Sequence, residues 1–453
     1  MKSDQNSPQL NIPHSPYLPY DESVSMYNTA FVHLTPYTFS NFQQESMSWK
    51  NTCYLHAGLN PAYPYSIKGE DALRLFKDSC VNTFEIFAIG SARHAIMCNE
   101  QGNIMADGLL LHIGEDEYIS YYLSPYINYL VDSGAYDVVG EDLSGEVFLF
   151  QLGGPRSLEV LEAATGESLR DLLFFKHRPG IIKSEDENKN DADIRIFRVG
   201  VAGTLAYEVH GNIKDAEVVY QAIIKAGEHF RIEKLGLQVY GMNHTENGFY
   251  QSFIHFMGAY PQDQRFMDYL NGSFDQFLVN ISGSAGRDLN KRFCNPVEAG
   301  WSNRIVFDHD FRGRQALEKA IANPVRRIVT LLWNPDDIAE VQASFFETGE
   351  TYQYMELAAN PIWTVNNSAV ISDDVLKDGE IVGISSGRIY SFYSRSMISL
   401  CLVNIEYGEP GTELEVVWGE PGSRQKKIRV IVSRFPFLDL PRNKEIDVSC
   451  LPS

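Results

Sequence analysis

The sequence contains no stretch that approaches 18 uninterrupted apolar residues, which is about the length that a membrane-spanning helix needs. Its first eight residues are polar, and they lead into a segment rich in proline and tyrosine instead of an apolar signal core. A secreted or membrane-spanning protein is therefore not expected. The sequence predicts a cytoplasmic protein.

Cysteine is scarce as well, and its six positions lie far apart along the chain. No two of them form a C-x-x-C pair, and no histidine lies beside them at the spacing of a metal site. The pattern predicts reduced, mostly buried thiols and no bound metal.

Positive charge is in short supply. The chain has 38 lysines and arginines against 59 aspartates and glutamates, which gives a net charge of −21 with neutral histidine. Nucleic acids and anionic membrane surfaces both need a positively charged contact surface. The sequence therefore predicts neither of them as a partner.

The common motifs of nucleotide-binding proteins and zinc proteases are missing, since no phosphate-binding loop, no G-x-G-x-x-G after a strand and no H-E-x-x-H occurs. Residues 383–387, Gly-Ile-Ser-Ser-Gly, match the G-x-S-x-G elbow of serine hydrolases, whose histidine follows the serine in the chain. The last histidine here is His309, which precedes it. We interpret the segment as a tight turn between two strands.

What is present is an ordinary globular composition, with 44% hydrophobic, 12% aromatic and 21% charged residues over 453 positions. That length predicts two or three packed domains. Prolines interrupt residues 1–30, which we predict to be an extended arm. Helical and extended patterns are mixed over residues 31–325, and residues 326–453 are strand-rich. We therefore predict an α+β body followed by a smaller, mostly β domain.

Hydrophobic periodicity predicts the individual elements. Residues 71–76 open a short amphipathic helix, and apolar spacing over residues 216–224 predicts another, with Gly227 as its C-cap. Strands are predicted over residues 109–113, 118–123, 146–152 and 193–199, and a hairpin is predicted from residues 413–418 and 427–432.

Two acidic residues stand beside glycines at the expected edges of strands. Asp107 precedes Gly108 in a segment that we interpret as a turn leading into an apolar strand, and Glu208 begins a strand after a glycine-containing loop. Most carboxylates at the edge of a strand are solvated or accept a hydrogen bond from the neighbouring backbone, and have no function. A carboxylate there can also accept paired N–H groups from a heterocycle such as an aminopyrimidinone.

Two further segments resemble signatures of the aminomethyltransferase superfamily, which includes the glycine-cleavage T-protein. Residues 295–301, Asn-Pro-Val-Glu-Ala-Gly-Trp, are similar to its P-x-E-A-G motif, and residues 310–317, Asp-Phe-Arg-Gly-Arg-Gln-Ala-Leu, are similar to D-F-x-G-R-x-A-L. The Asp107 and Glu208 segments occur in the same order as in that family. The resemblance implies a three-lobed fold whose last lobe, over residues 326–453, is a β-barrel.

Within the superfamily, the chain is most similar to the tetrahydrofolate-dependent aryl O-demethylases of the vanillate and methylgallate type. The segments that carry this likeness are residues 39–42, 240–249, 307–311 and 414–420. Those enzymes move a methyl group from a methoxyarene to tetrahydrofolate without a metal. The resemblance implies the same activity here, with a vanillate- or syringate-like small molecule as methyl donor. Asn60-Pro61 and His33 stand where those enzymes carry a His-His pair and a tyrosine.

The resemblance also implies roles for individual residues. Glu208 would hold the pterin ring, Asp107 would lie beside the folate nitrogen that accepts the carbon, and Tyr240 would face the methyl donor. The remaining expected cofactor contacts are Gly203, Tyr207, Glu246 and Phe249.

An aryl methyl ether has a poor leaving group, so the protein must place the methyl carbon near the folate nitrogen and donate a proton or hydrogen bond to the ether oxygen. Tyr240, His33 and His244 are the candidate donors. A tyrosine keeps its proton at neutral pH, whereas a histidine donates only if its pKa is held up. Two other classes stay open, namely a transferase with an amine or sulfonium donor and a folate-binding protein without chemistry.

Overall fold

The computed structural model describes residues 12–30, 33–184, 190–201, 203–273, 281–360 and 370–451. Its strands are, in chain order, β1 Met26–Ala30, β2 His33–Thr38, β3 Tyr54–His56, β4 Tyr65–Lys68, β5 Ala92–Cys98, β6 Ile104–Gly114, β7 Glu117–Tyr121, β8 Val139–Asp142, β9 Val147–Gly153, β10 His177–Ile182, β11 Ala192–Phe197, β12 Ala206–Asn212, β13 Glu233–Lys234, β14 Arg326–Trp333, β15 Ser372–Lys377, β16 Glu380–Ser391, β17 Ser396–Asn404, β18 Glu413–Trp418 and β19 Lys426–Ser433. Its helices are α1 Phe42–Asn51, α2 Ala72–Ser79, α3 Tyr126–Asp132, α4 Ser157–Thr165, α5 Ala216–Gly227, α6 Leu237–Asn247, α7 Gln264–Leu270, α8 Arg314–Ala322 and α9 Pro335–Ala343.

The first lobe is built on a six-stranded sheet with the strand order β10-β11-β12-β9-β3-β13. Side chains alternate between the two faces of a strand, so Phe148, Phe150 and Leu152 of β9 share one face. That face is apolar and packs against α4 and α5. The opposite face of the sheet, with the odd-numbered residues of β9, points toward the other two lobes.

The second lobe is a five-stranded sheet with the order β5-β6-β7-β4-β8. Its core contains Phe76 of α2, Tyr126 of α3 and Phe266 of α7, which pack against Leu110 and Tyr118 of the sheet. The short helix predicted from residue 71 onward is α2, and the apolar stripe that predicted it is the buried face of that helix.

The third lobe is a closed barrel with the strand order β14-β17-β16-β15-β18-β19 and its own core around Trp333, Val375 and Val416. The predicted α+β class and C-terminal barrel are thereby confirmed. The predicted terminal hairpin is formed by β18 and β19.

The three lobes meet in one hydrophobic cluster. Leu149 of the first sheet, Tyr121 of the second and Ile398 of the barrel all belong to it. The helix α6 runs through this junction, where its Val239 and Met242 are fully buried. Contacts with all three lobes therefore determine the position of the side chains on α6.

The chain does not end in the barrel, because a C-terminal tail, residues 434–451, returns to the first lobe. Within it, Asn443 donates from Nδ2 to the carbonyl of Ala206, the first residue of β12, at 2.9 Å. The Nη1 of Arg442 donates to the carbonyl of Asn247, the last residue of α6, at 2.6 Å. The tail therefore fastens β12 and α6 to each other.

Part of the predicted N-terminal arm is described by the structure. Tyr17 is buried in the core of the first lobe, whereas Tyr20 is exposed. The end of the arm forms β1, which pairs with β2. Residues 1–11 lie outside the described residues.

The turn predicted at Asp107 is wrong, because Asp107 lies inside β6. This strand begins at Ile104 instead of Leu109, and Asp107 is paired with Ile96 of β5. The early residues of β6 take further backbone partners from distant segments, such as the carbonyl of Cys294, which accepts from Ile104 N at 2.9 Å. Local periodicity carries no information about such partners.

The turn predicted at residues 383–387 is also wrong, since the segment lies in the middle of β16. Ser385 and Ser386 pair with both neighbouring strands, and a bulge follows them before Ile389. Ser385 donates to Ser399 of β17 at 2.8 Å, so the small polar residues are satisfied inside the barrel wall. They are explained without a nucleophilic role.

The C-cap predicted at Gly227 is wrong as well. Gly227 has a helical φ of −81°, and the left-handed residue that ends this region is Arg231, with a φ of 57°. A Cβ at Gly227 would lie 2.5 Å from Ile232, so close packing explains the glycine.

The motif segment 295–301 forms a closed turn that connects the body to the barrel. Asn295 Oδ1 accepts from the backbone N–H groups of Val297 and Glu298, each at 3.0 Å. The carboxylate of Glu298 receives two hydrogen bonds from Arg326, the first residue of β14, at 2.7 and 2.8 Å. A bidentate pair of this kind fixes orientation as well as distance.

Glu45 of α1 links that helix to the start of α6. Its carboxylate accepts from the backbone N–H groups of Phe39 at 2.9 Å, Ser40 at 3.2 Å and Gly236, the N-cap of α6, at 2.8 Å. Burial raises the pKa of Glu45 to about 7, although these three donors favour the charged form.

We expect the stability that Glu45 contributes to be largest below pH 4.5 and to be lost as the pH rises to about 7. Between these values the folded chain holds a proton that the unfolded chain has released, so unfolding becomes easier with rising pH. The shift corresponds to about 3 kcal/mol. Urea unfolding of the wild type and Glu45→Gln at about pH 5 and about pH 8 measures it. A stability difference between the two proteins that does not change with pH would contradict this expectation.

Within the described residues, no helix is long and apolar enough to cross a membrane. The same residues contain no group of three or more side chains that could hold a metal ion. All six cysteines are unpaired, and all but Cys450 are buried.

Candidate functional site

A row of polar side chains crosses the inward face of the six-stranded sheet. His56 of β3 is the register partner of Gln151 of β9, and Gln151 is the partner of Glu208 of β12. Directly opposite residues on neighbouring strands share a face and lie about 5 Å apart. The sheet therefore brings together three residues that are far apart in the sequence, all of them buried.

Gln151 is at the centre of this row. The hydroxyl of Tyr54 donates to Gln151 Oε1 at 2.6 Å, and the hydroxyl of Tyr240 interacts with the same side chain. The Nε2 of Gln151 makes no hydrogen bond of good geometry to any described residue. A buried amide in this state is a donor for a bound molecule.

Tyr240 of α6 lies against the row. Its ring is stacked on that of His56, with centroids 4.1 Å apart and planes 6° from parallel. Burial raises the pKa of Tyr240 well above 10, and the charge of Glu208 adds to the effect. The phenol is thus held in its protonated, donating form at neutral pH.

His56 is neutral. Its Nδ1 donates to the carbonyl of Leu235 at 2.8 Å, and burial lowers its pKa to about 4. The other ring nitrogen, Nε2, is therefore an unprotonated acceptor, and it has no hydrogen-bond partner among the described residues.

Two asparagines continue the polar surface along α6. The amide of Asn243 lies beside the hydroxyl of Tyr54, yet neither its Nδ2 nor its Oδ1 makes a well-formed hydrogen bond within the described chain. One turn later, Asn247 donates from Nδ2 to the carbonyl of Asn243 at 2.8 Å, and its Oδ1 has no hydrogen bond from any residue that the structure describes. Gly203 packs here with a φ of 66°, and a Cβ on it would lie 2.4 Å from that Oδ1.

Glu208 lies near the start of β12, where the sequence predicted it, and it is buried instead of solvated. Its Oε2 accepts from Nε2 of His210, the next residue on the same face, at 3.1 Å. Burial raises the pKa values of the phenols of Tyr54, Tyr121 and Tyr122, and the nearby charge of Glu208 adds to the effect. Glu208 therefore lies among three phenols and one imidazole, all of them hydrogen-bonding groups.

Asp107 occupies a second acidic position, in the second lobe. Its Oδ2 accepts from His94 Nε2 at 3.1 Å, and its Oδ1 is buried without a partner among the described residues. The ring of His94 meets those of Trp301 at 4.8 Å and Phe249 at 5.7 Å.

An aromatic path joins the two acidic positions. Phe249 lies 5.9 Å from the ring of His244, and His244 meets Tyr240 edge-on at 4.8 Å. His244 donates from Nδ1 to the carbonyl of Tyr240 at 3.0 Å, and burial lowers its pKa to about 3. A neutral imidazole of this kind is a weak proton donor at neutral pH.

The structure brings together most of the residues that the sequence predicted, but not all of them. Tyr207 points to the opposite face of the sheet, where its ring belongs to the apolar core under α4 and α5. His33 is the half-buried first residue of β2, outside the sheet that carries the polar row. The side chain of Asn60 is occupied by the backbone of Leu149, which it both donates to and accepts from at 2.8 Å.

Glu246 was expected at the cofactor, but its carboxylate is engaged elsewhere. It forms a buried ion pair with Lys50 of α1 at 2.5 Å and accepts from Ser391 of β16 at 2.5 Å. Both side chains of the pair are almost completely buried, 3% and 0% exposed. The placement argues against direct cofactor contacts by Glu246 and by Tyr207, and it makes Glu246 an anchor of α6.

We expect Glu246→Gln to lower the free energy of unfolding by about 3–5 kcal/mol, because it leaves the ammonium of Lys50 buried without its counter-charge. Replacing both partners with apolar residues, as Lys50→Met with Glu246→Leu, should recover most of the loss. Denaturant unfolding of the three proteins measures the effect. A Glu246→Gln protein as stable as the wild type would show that the pair does not anchor the helix.

Sequence reasoning missed the partners of the predicted residues, namely Tyr54, His56, His94, Gln151, His210 and Asn243. One signal was available in the sequence. Gln151 is the single polar residue in the run Phe148-Leu149-Phe150-Gln151-Leu152, and a buried strand does not tolerate a glutamine without a partner or a ligand.

The chain is similar over most of its length to known one-carbon transferases and O-demethylases. The family model described as "GCVT N-terminal domain" matches residues 25–253. A sesamin methylene transferase of Sinomonas sp. is 40% identical over 428 residues, which cover 92% of this chain and 93% of that protein. A syringate O-demethylase of Sphingobium sp. is 27% identical over 448 residues, with 91% of this chain and 92% of that protein covered.

The fold has a solved counterpart. The crystal structure of glycine cleavage system aminomethyltransferase T from Bartonella henselae matches with a TM-score of 0.66, covering 93% of this chain and 96% of that one. At 16% identity the likeness concerns the fold alone, and it confirms the architecture that the sequence motifs predict.

Proposed function

Because the chain belongs to the aminomethyltransferase (GCVT) family, close to the aryl O-demethylases, we propose that it cleaves an aryl ether and passes the one-carbon group to tetrahydrofolate. The enzyme class, a tetrahydrofolate-dependent methyltransferase, follows from the family. The proposal adds the chemical class of the donor and the residues that act on it. The observation that carries it is the buried, protonated phenol of Tyr240 above the polar row of the first sheet.

The buried polar groups of the site fit tetrahydrofolate, whose pterin ring is rich in N–H donors and whose nitrogen supplies the nucleophile. Glu208 offers carboxylate acceptors, and Asn243 and Gln151 carry buried amide atoms that make no well-formed hydrogen bond within the described chain. In the second lobe, the Oδ1 of Asp107 is an acceptor that no described residue occupies. We propose that Glu208 holds the pterin and that Asp107 lies beside the reacting nitrogen.

Tyr240 would act on the donor. An aryl ether is inert because phenoxide is a poor leaving group, so a hydrogen bond to the ether oxygen must stabilise the charge that develops there. Tyr240 is held for this task from two sides, by the stacked ring of His56 and by the side chain of Gln151. The phenol donates its hydrogen bond to the ether oxygen as the bond to carbon breaks.

We propose a methylenedioxyarene as the first donor to test. The 40% identity to a sesamin methylene transferase supports it. The imidazoles of His56 and His244 around Tyr240 support it too, because they are neutral and offer no positive charge to a carboxylate on the donor. A neutral donor also avoids repulsion by Glu208. In this reaction two C–O bonds break, two C–N bonds form, and the two protons released from nitrogen pass to the two phenolic oxygens, which leaves a catechol without any redox change.

A methoxybenzoate is the second candidate, since the chain is 27% identical to a syringate O-demethylase over nearly its whole length. Here one C–O bond breaks, one C–N bond forms, and a single proton passes from nitrogen to the phenolic oxygen. The two candidates differ in their folate product, which carries a methylene bridge between two nitrogens in the first case and a methyl group on one nitrogen in the second.

The test is to incubate the purified protein and tetrahydrofolate with donors that are labelled with carbon-13 at the transferable carbon. Methylenedioxybenzene, methoxybenzoates, dimethylglycine and dimethylsulfoniopropionate are the four donor classes. A labelled methylene bridge in the folate together with release of a catechol supports the methylenedioxyarene as donor, and a labelled methyl group in the folate together with release of a phenol supports the methoxybenzoate. Transfer only from the amine or sulfonium, or tetrahydrofolate binding without transfer from any donor, would overturn it.

A further inference from the structure

We propose that His94 is a positioning residue that holds Asp107 so that its free oxygen, Oδ1, meets the reacting folate nitrogen. The inference rests on the proposed function for the role of Asp107. The role of His94 itself comes from three observations in the second lobe, namely a register, an unpaired oxygen and an aromatic clamp.

The register of two adjacent strands places the pair. His94 of β5 is the partner of Leu109 of β6, and Asp107 of β6 is the partner of Ile96 of β5. The side chains of His94 and Asp107 are therefore diagonal neighbours on the same face of the sheet. Both are buried to the same degree, 6% exposed, and His94 Nε2 donates to Oδ2 at 3.1 Å.

The unpaired oxygen points to a ligand. The Oδ1 of Asp107 is buried and has no hydrogen-bond partner among the described residues. A buried carboxylate oxygen without a donor is costly, and native proteins keep such groups mainly where something else binds. Because His94 occupies Oδ2, the rotation of the carboxylate is fixed, and Oδ1 is the acceptor left for an N–H group of the folate.

An aromatic clamp fixes His94 in turn. Trp301 meets the imidazole edge-on at 4.8 Å, and Phe249 lies 5.7 Å from it. Trp301 is the last residue of the motif turn that Glu298 ties to Arg326 at the start of the barrel. The segment 295–301 therefore does more than connect two lobes, because its Trp301 packs against His94, which orients Asp107.

The experiment compares His94→Ala, His94→Gln, Asp107→Asn and the double variant His94→Ala/Asp107→Asn. His112→Ala is the matched control, because His112 is a half-buried histidine of β6 whose Nδ1 donates to the backbone carbonyl of Phe87 at 2.7 Å and not to a carboxylate. Tetrahydrofolate affinity is measured by equilibrium titration, which needs no methyl donor. Turnover is then measured with the donor that the labelling test identifies, and thermal unfolding checks that each variant is folded.

We expect His94→Ala to lower turnover or tetrahydrofolate affinity by about 10- to 150-fold, the size of one hydrogen bond to a charged group. His94→Gln keeps an N–H donor at the position of Nε2 and should recover most of the loss. In the Asp107→Asn background, His94→Ala should cost almost nothing further, because it acts only through Asp107.

The proposal is overturned if His94→Ala matches the wild type in both affinity and turnover. It is equally overturned if the loss is as large in the Asp107→Asn background, since His94 would then be mere packing. If no aryl ether is a donor but His94→Ala weakens tetrahydrofolate binding only when Asp107 is intact, the positioning role stands while the proposed function fails.

Discussion

Glu208→Ala should weaken tetrahydrofolate binding by at least about 100-fold while the fold stays intact, because each hydrogen bond to a buried charge is worth about 1.5–3 kcal/mol and the pterin offers two N–H groups. Glu208 lies on a strand whose backbone pairing does not depend on its side chain. Calorimetric titration of the wild type and the variant with tetrahydrofolate measures the loss.

The control is Glu217→Ala, which removes an exposed carboxylate from α5 and should leave the affinity unchanged. Glu208→Gln adds a finer comparison, because it keeps the size of the side chain but loses the charge and one acceptor. An unchanged affinity in Glu208→Ala would count decisively against a pterin site on β12, and the cofactor would have to be sought elsewhere.

Tyr240→Phe should lower turnover by about 100- to 1,000-fold with tetrahydrofolate affinity nearly unchanged, as expected when one hydrogen-bond donor to developing charge is removed. The ring and its stacking on His56 are retained, so packing is preserved. The loss should appear in kcat, measured with the donor from the labelling test.

Tyr118→Phe is the matched control, since it also removes a hydroxyl from a tyrosine in a buried aromatic cluster, here with Phe76 and Phe87 in the second lobe. His244→Ala and His33→Ala test the rival donors. If Tyr240→Phe turned over at the wild-type rate while either histidine variant did not, the donor would be a histidine, and Tyr240 would be a packing residue.

The sequence allowed the elements to be predicted wherever the pattern was local. The strands β9, β11 and β12 and the hairpin β18–β19 were predicted from short strand-like segments, and α2 and α5 from helical spacing. The errors occurred where distant segments decide the conformation. Asp107 is in a strand because β5 pairs with it, and residues 383–387 are in a strand because β15 and β17 lie on both sides.

The same distinction between local and distant information applies to the residues of the site. Glu208, Asp107 and Tyr240 could be named from motifs that resemble a family, because each lies in its own short segment. Their partners could not, since His56 and Gln151 become neighbours of Glu208 only through the register of three strands. For Glu246 the prediction of a cofactor contact failed for the same reason. Nothing near it in the sequence indicates that it will form an ion pair with Lys50.

The C-terminal tail has a consequence for the order in which the protein is made. Chains emerge from the ribosome starting with the N-terminus, and domains fold as they appear. Arg442 and Asn443, which join α6 to β12, come after every strand of the barrel. During synthesis, the helix with Tyr240 and the strand with Glu208 therefore stay unlinked by the tail until the barrel has been produced. A premature stop just after β19 would give a chain with all three lobes but without this link.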